Sequence, residues 1–241
     1  MVRLIVGMPT LVGDVGKFGA RFDMVELHPV DTTTPRAATL RGWRRAVPPS
    51  FVFSVVLPAA VGRLEASAAA TAALASALEV ATTVEARCLV LQTPAEVRPT
   101  ATNKKRIGQL LEGLPRTGVV VCWDPQGIWE PAEVLEVARG CGAVPIVDAA
   151  REPVPPGSVV YTRLRALGRG GALGQATLDR VAERLRGKRE AFVICEAPIG
   201  AATRARAVLI AAMARARPGT GAPVVVRPGN AGILLAEDEE Q

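Results

Sequence analysis

Two short segments hold chemically capable side chains at two-residue spacing. In Met24-Val25-Glu26-Leu27-His28, the first, third and fifth residues alternate with apolar ones. In Val160-Tyr161-Thr162-Arg163-Leu164-Arg165, Tyr161, Arg163 and Arg165 alternate in the same way. A strand sends successive side chains to opposite faces, so each set shares one face. A carboxylate and an imidazole on one strand can move protons or hold a cation. Two arginines on another can clamp an anion such as a phosphate or carboxylate. Further carboxylates and an amide close other apolar runs: Gln92, Asp124 (after Trp123), Asp148 and Glu196. Glu26 and His28 are therefore the candidate catalytic pair. Gln92, Asp124, Asp148, Arg163, Arg165 and Glu196 are the candidate substrate-binding set.

Glu26, His28, Asp124, Asp148 and Glu196 are also ligand types for Mn²⁺ or Mg²⁺, so a metal stays open without being specified. No cofactor is indicated. A Gly-x-Ser-x-Gly nucleophile is absent, and Cys195 has no evident activator. His28 is the single histidine, which excludes every site that needs two. The same polar set has a structural reading: four carboxylates and two arginines at strand ends could close a core with internal ion pairs, Glu26 with Arg163 for example.

These residues need a scaffold. Eight β-branched or apolar runs recur along the chain: Arg3–Gly7, Met24–His28, Phe51–Val56, Arg87–Gln92, Val119–Trp123, Ala143–Asp148, Val159–Arg165 and Ala191–Glu196. Most are continuously apolar, as strands covered on both faces are. Helical patterns separate most of them: 35–46, capped by Thr34 with Pro35 at the first position, then 67–82, 102–114, 131–139, 177–186 and 201–214. Two places break the rhythm. Residues 9–22 are too short and Gly-rich for a full first helix, and 149–157 is Pro-rich with no helical pattern. The count is that of an α/β single-domain (β/α)8 TIM-type barrel, irregular at the first and sixth βα units. No Gly-rich phosphate loop follows the first strand, which disfavours an open doubly wound sheet. The barrel should occupy residues 1–217. A C-terminal extension, 218–241, ends in an acidic, disordered tail.

Composition narrows the classes. The 241 residues are 49% apolar and only 4% aromatic, so the core is chiefly aliphatic and the chain is globular. The charge of +6 comes from scattered arginines, with no long basic run and few rings to stack bases, so nucleic acid is not the expected partner. The four cysteines form no CxxC pair and read as buried, reduced thiols. No stretch reads as a membrane span or secretory leader, and a cytoplasmic protein is expected. The oligomeric state is not indicated.

Several segments, in order, carry a family resemblance. Phe22-Asp23-Met24-Val25-Glu26-Leu27-His28-Pro29 precedes a Thr-rich turn. Leu40-Arg41-Gly42-Trp43, Pro48–Phe51 and Phe53-Ser54-Val55 follow. Leu89-Val90-Leu91-Gln92-Thr93-Pro94, Trp123-Asp124-Pro125 with Trp129, and Tyr161-Thr162-Arg163-Leu164 complete the series. Together, over about residues 20–215, they resemble the YecE-like family (domain of unknown function 72). The resemblance implies a TIM-type barrel and no established reaction. Glu26, Gln92 and Arg163 match the family's polar positions. Elsewhere the chain departs. The aromatic N-terminal segment is missing, and His28-Pro29-Val30-Asp31-Thr32 replaces the polar turn. A lysine position falls near Val56, a Glu and an Arg near Val121 and Trp123, a His at Arg165, and an Asn pair near Cys195-Glu196. The resemblance is that of a divergent member. Two functions are carried: an enzyme or former enzyme acting on a small anionic or phosphorylated substrate at the barrel mouth, and a non-catalytic binding or scaffold protein whose site is closed by ion pairs.

Overall fold

The structure, a computed structural model, describes residues 2–29, 34–165 and 173–215. The Thr-rich turn and the expected C-terminal extension with its acidic tail lie outside the described residues. In chain order the elements are β1 (Arg3–Met8), α1 (Val15–Gly19), β2 (Met24–Leu27), α2 (Ala37–Ala46), β3 (Val52–Val56), α3 (Ala59–Gly62), α4 (Ala68–Thr83), β4 (Cys88–Thr93), α5 (Ala101–Glu112), β5 (Val120–Pro125), α6 (Pro131–Gly140), β6 (Val144–Val147), β7 (Val159–Arg165), α7 (Gln175–Leu185), β8 (Glu190–Glu196) and α8 (Ile199–Arg215). The strands pair in parallel, each with the next, and β8 closes on β1. This is the expected eight-stranded barrel, with the two irregular units where the sequence breaks its rhythm. The first holds only the five-residue α1, and no helix connects β6 to β7.

Side-chain alternation divides the core in two. One cluster fills the barrel: Ile5, Met24, Val52, Val56, Cys88, Val90, Cys122, Ile146, Tyr161, Phe192 and Ile194. The other lies between strands and helices and takes the opposite parity, including Val25, Leu27, Leu89, Leu91, Val160 and Leu164. Packing the interior this tightly requires a glycine at position 7. A Cβ there would stand 2.1 Å from the Met24 carbonyl oxygen and 2.3 Å from Met24 Cγ.

Helix starts follow local chemistry. Ser67 and Thr100 accept hydrogen bonds from the Ala70 and Asn103 amides, capping α4 and α5. Pro131 opens α6, where a missing N–H costs nothing. The expected start of α2 shifts: the helix begins at Ala37 with Arg36 at its cap position and no side-chain cap bond, so Thr34 does not cap it. All four cysteines are buried and reduced. No helix among the described residues is long and apolar enough to cross a membrane.

Candidate functional site

The parity that fills the barrel also builds its mouth. On six of the eight strands, two residues beyond the last inward apolar side chain, toward the strand C-terminus, comes a polar one. Met24 leads to Glu26, Val90 to Gln92, Cys122 to Asp124, Ile146 to Asp148, Tyr161 to Arg163 and Ile194 to Glu196. In parallel barrels this end carries the chemistry.

Arg163 is the hub. Its Nη2 lies 2.9 Å from Glu26 Oε1, its Nε 3.1 Å from Asp124 Oδ2 and its Nη1 3.4 Å from Glu196 Oε1. The Arg163, Glu26 and Asp124 side chains are almost wholly excluded from solvent. Nε and Nη2 are close to their carboxylates without a well-aligned hydrogen bond, so these contacts are chiefly between charges. Arg165 completes the ring more loosely, 3.7 Å from Asp124 and 3.5 Å from Glu196, with 38% of its side chain exposed. Asp124 also accepts from the Gln92 amide at 3.1 Å and the Gln126 amide at 2.8 Å. The expected anion clamp is therefore half-occupied: all three Arg163 nitrogens face the chain's own carboxylates, and Arg165 alone reaches solvent.

Glu26 is held unevenly. Oε1 faces Arg163 and accepts a short hydrogen bond from the Tyr161 hydroxyl. Because Tyr161 donates there, Ser54 Oγ, 3.1 Å from the same hydroxyl, must donate to it. Oε2 is buried without a hydrogen-bond partner among the described residues. His28 Nε2 is 3.9 Å from Oε2 and 3.0 Å from the Pro9 carbonyl oxygen. A carbonyl can only accept, so Nε2 carries the proton of that bond. The His28 side chain is partly exposed and lies beside buried Glu26.

The electrostatics follow from burial. Desolvation pushes the Glu26 carboxyl from its usual 4.5 up to about 7. Arg163 and the Tyr161 hydrogen bond pull it down, and Asp124 and Glu196 push it further up. Burial likewise raises Asp124, against the opposing pull of Arg163 and Arg165. Burial and the neighbouring Glu26 hold the Tyr161 phenol well above its usual range, so it stays a donor. Burial alone would lower Arg163; Glu26 and Asp124 outweigh it, and the guanidinium stays charged.

Asp148 lies at the edge of this constellation. Its carboxylate accepts from the Ala150 amide at 2.9 Å and the Arg165 amide at 3.4 Å, and it faces Arg151 at 3.6 Å. It shapes the loop after β6. The structure thus brings together Glu26, Gln92, Asp124, Arg163, Arg165 and Glu196, sets His28 beside Glu26, and leaves Asp148 at the rim. No group of three or more His, Cys, Asp or Glu side chains among the described residues is arranged to hold a metal ion. The guanidinium of Arg163 stands where the carboxylates converge. Tyr161 and Ser54 were not among the expected site residues. The signal for both was parity: Tyr161 shares the face of Arg163, and Ser54 is the polar member of the inward set Val52-Ser54-Val56.

Comparison with known proteins agrees with this architecture. The family model described as protein of unknown function DUF72 matches residues 15–227. The chain belongs to this family. Among solved structures, a DUF72 family protein from Enterococcus faecalis V583 superposes with a TM-score of 0.67 at 15% identity, over 89% of this chain and 98% of that one. A DUF72 family protein from Thermotoga maritima MSB8 gives 0.63 at 17%, over 88% and 99%. A structure of L-ribulose 3-epimerase gives 0.58 at 14%, over 90% and 96%. At such identities the likeness is one of fold. A search of curated proteins finds no match.

Proposed function

We propose that this DUF72 protein is an enzyme, or the descendant of one, that transfers protons on a small anionic substrate at the C-terminal mouth of the barrel. The observation that carries this reading is Glu26 Oε2, a carboxylate oxygen sealed in the mouth with no hydrogen-bond partner. Buried polar atoms nearly always have partners, and an exception calls for a function. Glu26 is the acid/base, and a carboxyl that titrates near neutrality suits both halves of that task. Tyr161 and Arg163 orient it through Oε1, and His28 stands beside Oε2 at 3.9 Å. Arg165 meets the anion, because its contacts are the longest of the ring and its guanidinium is the exposed one. The solved structures named L-ribulose 3-epimerase and D-tagatose 3-epimerase-like protein share the barrel. Their names suggest ketoses, and the exposed Arg165 suggests that those carrying a phosphate or carboxylate be tried first.

The test is solvent-deuterium incorporation next to the carbonyl of such compounds, followed by NMR. Wild type is expected to exchange, Glu26→Gln to lose exchange, and Arg165→Gln to raise KM more than it lowers kcat. Equal exchange by wild type and Glu26→Gln would contradict the role of Glu26. One observation favours the second reading, a closed and non-catalytic mouth. With Glu26 protonated, Arg163 and Arg165 balance Asp124 and Glu196 charge for charge. No exchange and no thermal shift with any compound would support that reading.

A further inference from the structure

The missing helix between β6 and β7 leaves a cleft of about 600 Å³ beside the mouth. That volume is within the ~300–1,000 Å³ typical of small-molecule sites. Asp124 and Arg165 form its inner edge, so it opens from the mouth and runs over the edge of β6 toward α6. Its walls are apolar: Trp129, Val134 and Leu135 on one side, Val154 and Pro155 of the Pro-rich loop on the other. Trp129 is fixed by its indole N–H, which donates to the Val97 carbonyl at 2.9 Å, and by an edge contact with Trp123. A wall made of prolines and a pinned indole is preorganised, which lowers the ordering cost of binding.

The charges lining the cleft are unequal. Asp124 is matched by Arg163 and Arg165, and Asp148 by Arg151. Glu152 accepts the Asp148 amide N–H at 3.3 Å through Oε1 and has no cationic partner among the described residues. It lines the cleft as an unbalanced carboxylate. Indole faces also favour cations. We propose that this cleft binds an amphipathic amine, with its flat apolar body between Trp129 and the Pro-rich loop and its ammonium group on Glu152. The cleft adjoins the mouth at Asp124 and Arg165, but binding through Trp129 and Glu152 does not depend on the proposed chemistry at Glu26.

Isothermal titration of the full chain with 1-naphthylmethylamine, 1-naphthylacetate and 1-naphthalenemethanol tests the proposal. The amine should bind at one site and most tightly of the three. Glu152→Gln should weaken it about tenfold, a loss of roughly 1.4 kcal/mol, and leave the neutral alcohol unchanged. Val154→Trp, which fills the cleft, should abolish binding of all three. Glu26→Gln should leave amine binding intact whatever it does to activity, so the two proposals fail separately. Melting curves establish that each variant is folded, and Glu152→Gln, at the surface of a loop, serves if Val154→Trp is not. Equal or tighter binding of the acetate, an amine affinity indifferent to Glu152→Gln, or no binding at all would overturn the proposal.

Discussion

Glu26 lies at the point where two requirements of the barrel collide. Strand parity sends it inward beside Met24, and the interior excludes water, so its charge is disfavoured. Arg163 offsets this only in part. Folding therefore raises the carboxyl, and the sign of the pH effect follows. Between about 4.5 and 7 the folded chain binds more protons at Glu26 than the unfolded chain does. Stability conferred by the protonated carboxyl is present below that window and is lost as pH rises through it, by up to ~1.4 kcal/mol per pH unit. Asp124, raised as well, acts in the same direction. Glu26→Gln removes the titrating proton. The fall in melting temperature from pH 4.5 to 7.5 should accordingly be smaller in Glu26→Gln than in wild type. Parallel melting-temperature profiles for the two proteins would show that Glu26 titrates normally.

The strands were legible because their apolar runs are continuous, and the inward face was legible because Glu26 and Arg163 break those runs at two-residue spacing. The sixth unit was legible as a gap: Pro153, Pro155 and Pro156 forbid a regular helix. What sequence could not show is how the polar ends meet around the ring. Whether Arg163 faces a ligand or three carboxylates depends on the stagger of strands far apart in sequence, such as β2 and β7. The four-residue α3 was missed because a helix of that length has too few residues to show a period. At this scale Gly7 sets how closely β1 and β2 approach. Gly7→Ala would press a methyl group on the Met24 carbonyl and side chain, where backbone cannot yield. It should destabilise the barrel by about 3 kcal/mol in denaturant unfolding. A change under about 0.5 kcal/mol would show that the two strands separate easily.

The whole barrel is stoppered at both ends by ion pairs of different character. At the N-terminal end buried Glu190 faces Arg3 at 3.1 Å and Arg87 at 3.4 Å, and the Arg3 side chain is about half exposed. Arg87 stays beside Glu190 when Arg3 is removed, and a half-exposed partner contributes little, so Arg3→Ala should cost under ~1 kcal/mol. At the mouth Arg163 is buried against two buried carboxylates. Its removal leaves Glu26 without its cation and Asp124 with only the looser Arg165, and Arg163→Ala should cost about 3–5 kcal/mol in urea unfolding at pH 8. The cost should be smaller at pH 5, where Glu26 is protonated in the folded chain. Similar costs for the two arginine variants would remove the distinction between the ends. The proposed function requires a carboxyl in the mouth poised to exchange protons near neutrality. The measurement that tests it most directly is a ¹³C NMR titration of the glutamate side-chain carboxyls in the folded protein, with Glu26 assigned by the signal lost in Glu26→Gln. A midpoint near 7 is the result expected from its burial, and a midpoint at or below the ordinary carboxylate range would contradict the account.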